Sequence, residues 1–302
     1  MKKNKFHTYI YIYMKFIAKK TLDVVLRYPK IFNFNDSNYL IGSECINAVD
    51  NKIMQYWSCI YKLDSNFDII HDLKYQLKVP TVNIEDYNIS CWTRDINVIN
   101  NKIYFNVEIK KNIGNKSYKH DNYIIFTENF INWFKIKQYG SKFEDYFIFK
   151  EINNNNAEIL LLSILSDDKD FPDFFWRKYL FEFKINNQII IPNFDSCVNY
   201  EQDKGHLLHN VINLGNNEYT IIFSIRHLIN NTPEFVYKIY SAKTRDFINF
   251  NETTEINCIN KINDTKWYSY PSVSKINNKD YMVTNQDDYG KHKHVLLFEI
   301  EN

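Results

Sequence analysis

Glycine and proline are scarce in this chain, with six of each among 302 residues. That is few for a β-rich protein, so its turns must be built from another residue. Asn is abundant and tolerates the left-handed backbone conformation that tight turns require. Cysteine is sparse as well: Cys45, Cys59, Cys91, Cys197 and Cys258 make an odd count of five. No two are spaced C-x-x-C, which argues against a disulfide framework and a cysteine zinc site. A reducing compartment, hence the cytoplasm, is the expectation. No apolar run approaches the length of a membrane span, so no integral membrane segment is predicted. The N-terminal MKKNKFHTYIYIYMKFIAKK has the lysines of a signal peptide. Its apolar stretch, however, is short, Tyr-rich and interrupted by Lys15, and no small-residue cleavage site follows. The net charge is +1, with Lys and Arg scattered rather than clustered. A nucleic-acid partner needs a basic footprint, and none is present. Gly-rich phosphate loops, G-x-S-x-G and H-E-x-x-H are missing, so neither a cofactor nor a metal is predicted.

Aromatic residues are what the chain has in excess. Tyr and Phe number 23 each, and aromatic and β-branched side chains suit the half-buried surface of a sheet. An Asn- or Asp-rich turn between two apolar segments recurs five times. It reads NAVDNKIMQYW from Asn47, NVINNKIYFNV from Asn97, EINNNNAEILLL from Glu151, VINLGNNEYTIIF from Val211 and SKINNKDYMV from Ser274. A second strand–turn–strand element follows, as in IYKLDSNFDII, IIFTENFINWFKI and IYSAKTRDFINFNE. Four strands per module, repeating at about fifty to sixty residues, is the pattern of a propeller blade. The predicted fold is therefore all-β, a single domain over residues 1–302 forming a five-bladed β-propeller. The last module has three strands, and the alternating segment at residues 8–17 is expected to close its blade as the outer strand. The only helix expected is a turn or two within residues 19–27 (KKTLDVVLR).

The first strand of a propeller blade lines the central channel, so polar residues just before each Asn-rich hairpin are candidates for a site. They are Glu44 in SECINAV, Arg94 and Asp95 in TRDINVI, Glu144 and Asp145 in FEDYFIF, His206 and His209 in GHLLHNVI, and Tyr268 and Tyr270 in WYSYPSV. Arg226 and His227, which follow the apolar TIIFS, are further candidates for substrate contact. Three carboxylates suit glycoside chemistry, in which one group protonates the leaving oxygen and another activates water or attacks. A third tunes the acid through like-charge proximity. His206 and His209 sit on opposite faces of a strand, which disfavours a shared metal.

In its C-terminal third, SIRHLINNTPEFVYKIYSAKTRDFINF followed by WYSYPSVSKINNKDYMVTNQDDYG resembles the two final blades of the five-bladed glycosidase clan. That clan comprises glycoside hydrolase families 32, 43, 68 and 130 and propeller proteins of bacterial surface-polysaccharide clusters. Arg94-Asp95 is similar to the Arg-Asp-Pro of the fructan-processing families, with Ile96 in place of proline. Glu85-Asp86 resembles the Glu-Asp-Pro-Arg of mannoside phosphorylases, broken here by Tyr87-Asn88. The resemblance implies that Asp95 is the tuning or transition-state-stabilising carboxylate and that Glu144 or Asp145 is the general acid. It implies a base from the first blade, where this chain has Glu44 followed by Cys45. It also implies that His209 lies near the axis. The expected partner is a carbohydrate or sugar-nucleotide ligand, handled by hydrolysis or transfer. A glycan- or protein-binding propeller without chemistry is the alternative, and no oligomeric state is implied.

Overall fold

The computed structural model describes residues 15–49, 53–86, 88–114, 117–140, 144–153, 156–165, 182–185, 188–190, 193–194, 203–215, 218–228, 235–259, 267–288 and 291–301. Among them the only regular elements are β-strands. After the N-terminal strand β1 (Lys15–Leu22), the first sheet holds β2 (Arg27–Phe34), β3 (Ser37–Val49), β4 (Ile53–Leu63) and β5 (Ile69–Gln76). The second holds β6 (Ile89–Ile99), β7 (Lys102–Gly114), β8 (Ser117–Thr127) and β9 (Trp133–Gly140). The third holds β10 (Glu144–Asn153), β11 (Asn156–Leu165), β12 (Glu182–Ile185) and β13 (Gln188–Ile190).

The fourth sheet contains β14 (Asn193–Phe194), β15 (Asp203–Gly215), β16 (Glu218–Leu228), β17 (Phe235–Thr244) and β18 (Asn249–Glu255), in the order β14-β18-β17-β16-β15. The fifth contains β19 (Asn257–Ile259), β20 (Trp267–Ile276), β21 (Lys279–Asp288) and β22 (Lys291–Glu301), with β1 inserted, in the order β19-β1-β22-β21-β20. The arrangement is propeller-like. First strands touch in sequence, β2 against β6, β6 against β10, β10 against β15, β15 against β20, and β20 against β2.

The N-terminal strand pairs antiparallel with β22, from Lys15 opposite Glu301 to Leu22 opposite Val295. Its other edge pairs in parallel with β19, so it is the fourth strand of that sheet, with a fifth beyond it. The described part of the strand starts at Lys15, and most of the segment expected to form it lies outside the described residues. The helix expected at residues 19–27 is not there. Lys19–Leu22 continue the strand, and Val24 N–H then bonds Leu22 C=O at 2.8 Å in a tight turn.

The scarcity of glycine is met by Asn. Three hairpins joining first to second strands are two-residue loops with positive φ at both residues: Asn35–Asp36 (48° and 56°), Asn100–Asn101 (48° and 58°) and Asn277–Asn278 (49° and 65°). Such loops match the right-handed twist of the flanking strands. They also correct the sequence alignment of the first module. Its counterpart hairpin is at Asn35, whereas the NAVDNK turn joins the second strand to the third.

Three turns between third and fourth strands place a phenylalanine in the left-handed region, at Phe67 (62°), Phe130 (59°) and Phe247 (59°). That conformation costs a bulky residue roughly 1–2 kcal/mol. Thr127 Oγ1 accepts from Phe130 N–H at 3.0 Å, and Thr244 Oγ1 accepts from Phe247 N–H at 2.8 Å. Each ring then meets a tyrosine 4.8–4.9 Å away: Phe67 on Tyr281, Phe130 on Tyr39, Phe247 on Tyr219. Burying the ring offsets the backbone cost.

The core lies between sheets. Ile41 and Ile60 of the first cluster with Cys91, Phe105 and Val107 of the second. Cys59, Tyr61 and Leu63, on the other face of the first sheet, pack on Ile276, Tyr281 and Val283 of the fifth.

Candidate functional site

Strand β6 alternates regularly up to Thr93, with Cys91 and Thr93 facing the first sheet. Thr93 Oγ1 donates to Ser58 Oγ at 3.0 Å, and Thr93 lies opposite Val107 of the inter-sheet core. The register then shifts between Thr93 and Asp95. A bulge adds one residue, here Arg94, and re-aims the side chains beyond it. Asp95 therefore stands opposite Asn106, on the same face as Trp92, which stands opposite Glu108. Asn122 and His120 of β8 pair with Glu108 and Lys110 and share that face. The result is a buried polar surface on the face of the second sheet opposite Cys91 and Thr93: Asp95 is 6% exposed, Asn106 0%, Glu108 7% and Asn122 2%.

At its centre Glu108 is held from two sides. Arg94 donates Nε–H to Glu108 Oε2 at 2.7 Å and adds a second bond from Nη2. His120 Nδ1 bonds Oε1. Burial pushes the Glu108 carboxyl up, but the Arg94 charge and His120 outweigh it and hold it down at about 2. Glu108 is thus a fixed anion. Among the described residues, neither amide atom of Asn106 has a hydrogen-bond partner, and Asn122 Oδ1 has none. Asp95 Oδ2 accepts from Asn97 Nδ2 at 3.3 Å.

Aromatic rings carry the cations. The Arg94 guanidinium lies 4.5 Å from the Tyr28 ring centroid and 5.5 Å from that of Trp92. Arg27 lies 4.1 Å from Tyr56, and Lys110 5.8 Å from Trp92. Trp92 meets Tyr28 at 5.4 Å and the edge of Tyr56 at 6.1 Å. Burial lowers the Lys110 pKa, and the Arg94 and Arg27 charges lower it further against the pull of Glu108. Tyr28 has φ 54° and precedes Pro29. Such a conformation is strained for a tyrosine, and strain of this kind concentrates at functional sites.

Bulges recur in first strands, between Arg27 and Lys30, Leu208 and Asn210, and Ser269 and Ser272. Lys30, Asp95 and Ser272 each follow a bulge and stand five residues before the first turn residue, Asn35, Asn100 and Asn277 respectively. All three are buried. His209 falls at the shift in β15, and Tyr270 at the shift in β20. Glu144 and Asp145 open β10, opposite Leu165 and Ile164, and β10 touches β6 and β7. His206 pairs with Ile225, Arg226 with Tyr237, His227 with Asp203 and Val236, and Tyr268 with Gln286. For Glu144, Asp145, His206, His209, Arg226, His227, Tyr268 and Tyr270 the backbone is described, and the side chains lie outside the described set.

Glu44 belongs to the second strand of its sheet, opposite Trp57. Its neighbour Ser43 faces the second sheet and donates to Cys91 C=O at 3.2 Å. Glu44 faces the other way, towards Cys59 and Tyr61 on the fifth-sheet side. Lys74 and Tyr61 donate to its oxygens, and Cys59 Sγ–H reaches Oε1 at 3.3 Å. Burial raises its pKa, and these three bonds lower it to a net depression. The structure does not bring Glu44 together with Asp95.

Sequence reasoning did not single out Tyr28, Tyr56, Trp92, Glu108, Lys110 or His120. The usable signal was the pair of adjacent strands carrying TRD and NVEIK, read together once the Arg94 bulge is known.

No protein-family model matches the chain, and no curated protein matches it. Solved structures do. The exo-1,5-alpha-L-arabinanase from a bovine ruminal metagenomic library aligns with a TM-score of 0.53 at 9% identity, covering 93% of this chain and 95% of that one. A mutant of the alpha-L-arabinanase from Cellvibrio cellulosa gives 0.55 at 10% identity, covering 93% and 92%. The xylan beta-1,4-xylosidase from Bacillus halodurans C-125 gives 0.55 at 11% identity over 94% of this chain, which spans 54% of the xylosidase. At these identities the likeness is one of fold: the chain is an all-β, propeller-like protein similar in architecture to these glycoside-cleaving enzymes.

Proposed function

We propose that the five sheets are the blades of one closed five-bladed propeller, and that the chain acts on a glycosidic bond, by hydrolysis or sugar transfer, in cell-surface glycan metabolism. The observation that carries this reading is the Arg94 bulge, which turns Arg94 and Asp95 onto one buried polar face beside the strand that opens with Glu144-Asp145. Arg94, clamped by Glu108, presents a fixed guanidinium to substrate oxygens. Asp95 tunes the general acid, which is Glu144 or Asp145. Glu108 is excluded from the acid's role because it stays ionised down to about pH 2, and a general acid needs a pKa near the working pH. His209, Arg226, His227, Tyr268 and Tyr270 complete the substrate contacts.

A second reading, a glycan-binding propeller without turnover, is favoured by one observation. The bulge in β2 carries Tyr28-Pro29, β2 contains no carboxylate, and Glu44 is engaged by Lys74 and Tyr61. Turnover of oligosaccharides by the wild type and by Asp95→Asn and Glu144→Gln/Asp145→Asn variants separates the two. The first reading expects activity lost in both variants, and the second expects saccharide binding with no turnover in any of them.

A further inference from the structure

Around Trp92 the charged groups are mostly cationic, with Glu108, its partner across the ladder, the carboxylate among them. Arg27, Arg94 and Lys110 bring three positive charges onto the edges of one aromatic cluster formed by Tyr28, Tyr56 and Trp92. The indole Nε1–H of Trp92 is buried and has no acceptor among the described residues. An indole N–H can only donate, as can guanidinium and ammonium groups. Like charges this close repel: burial and both arginines disfavour the Lys110 ammonium, while Glu108 favours it. The cluster stays accessible, since Arg27, Tyr28, Tyr56, Trp92, Arg94 and Lys110 are each half-buried rather than sealed. It spans two sheets, with the strained Tyr28 at the first-strand bulge of one and Arg94 at the first-strand bulge of the other.

We propose that this donor cluster is the seat of an anionic substituent on the saccharide, so that the substrate is an acidic glycan bearing carboxylate or sulfate groups. An acceptor-only group satisfies the Trp92 N–H and joins Glu108 in countering the three positive charges. Arg94 is held with its plane fixed by Glu108, which suits two-point contact with a planar carboxylate. The inference rests on the carbohydrate reading above and adds the charge of the substrate to it.

The test is equilibrium binding by calorimetry of the full chain to uronate-bearing, sulfated and neutral oligosaccharides of equal length, at low and high salt. Acidic ligands are expected to bind about tenfold or more tightly than neutral ones, the difference one desolvated charge pair supplies. The preference is expected to fall with added salt and to collapse in Arg27→Gln and Lys110→Gln, while Lys110→Arg retains it. Tighter binding of the uronate than of the sulfate assigns the planar carboxylate, and the reverse assigns the sulfate. Equal or tighter binding of neutral oligosaccharides by the wild type overturns the anionic seat and leaves the glycoside reading standing. Binding of none of the three overturns both. The wild-type comparison decides the matter even where a variant fails to fold.

Discussion

Replacing Glu108 by Gln removes a carboxylate charge that Arg94 and His120 both bind. Glu108 is 7% exposed, and its carboxyl lies at about 2 in the fold against 4.5 for a free side chain. That gap corresponds to about 3 kcal/mol of preference for the ionised form in the folded state. Breaking a buried ion pair from one side costs a similar amount, about 3–5 kcal/mol. Between pH 4.5 and 2 the unfolded chain binds more protons at this position than the folded one, so stability rises with pH across that window. The contribution is therefore complete above 4.5 and lost as pH falls through 2. Urea unfolding at pH 7 and pH 3 reads both effects. At pH 7 the variant is expected to lose about 3 kcal/mol, a fall in Tm of about 5 °C for a chain of this length. The wild type is expected to give up about 2 kcal/mol on going to pH 3 through this group alone, a slope that Glu108→Gln lacks. Equal stability at pH 7 together with identical pH slopes would refute the ionised, clamped Glu108.

Two further expectations concern buried groups. Asn106 is 0% exposed with neither amide atom bonded among the described residues, so Asn106→Leu is expected to be neutral or to stabilise by about 1–3 kcal/mol. A loss beyond about 1 kcal/mol in thermal unfolding means that the amide has a bound partner in solution. Burial pushes the Cys59 and Cys91 thiols well above the usual cysteine range, whereas Cys45 is exposed. Alkylation followed by peptide mass mapping is expected to label Cys45 in the folded protein and Cys59 and Cys91 only after unfolding; prompt labelling of Cys91 contradicts that packing.

Much of the fold was legible because it is written locally. Paired Asn residues encode two-residue hairpins directly, and TENFINW and TRDFINF encode one turn twice. The first module was mis-registered because NAVDNK and NFNDSN both offer the same turn chemistry, and only strand pairing shows which one joins the first strand to the second. That error put Glu44 on a first strand when it belongs to a second. A helix was expected at residues 19–27 from local pattern alone, but pairing with β22 draws Lys19–Leu22 into a strand. Glu108 and His120 were invisible for a different reason. NVEIK reads as an ordinary amphipathic strand with a wet polar face, and nothing local says that this face is buried. Nor does a sequence announce a one-residue bulge, which here decides that Asp95 points with Trp92 and not with Thr93.

Product analysis by mass spectrometry, with acidic and neutral oligosaccharides as substrates for the wild type and Asp95→Asn, tests the proposed chemistry most directly. Carboxylate chemistry at the second and third sheets predicts new, shorter or transferred glycan products with the wild type and none with Asp95→Asn. Unchanged turnover in Asp95→Asn, or intact substrates with the wild type throughout, would contradict it.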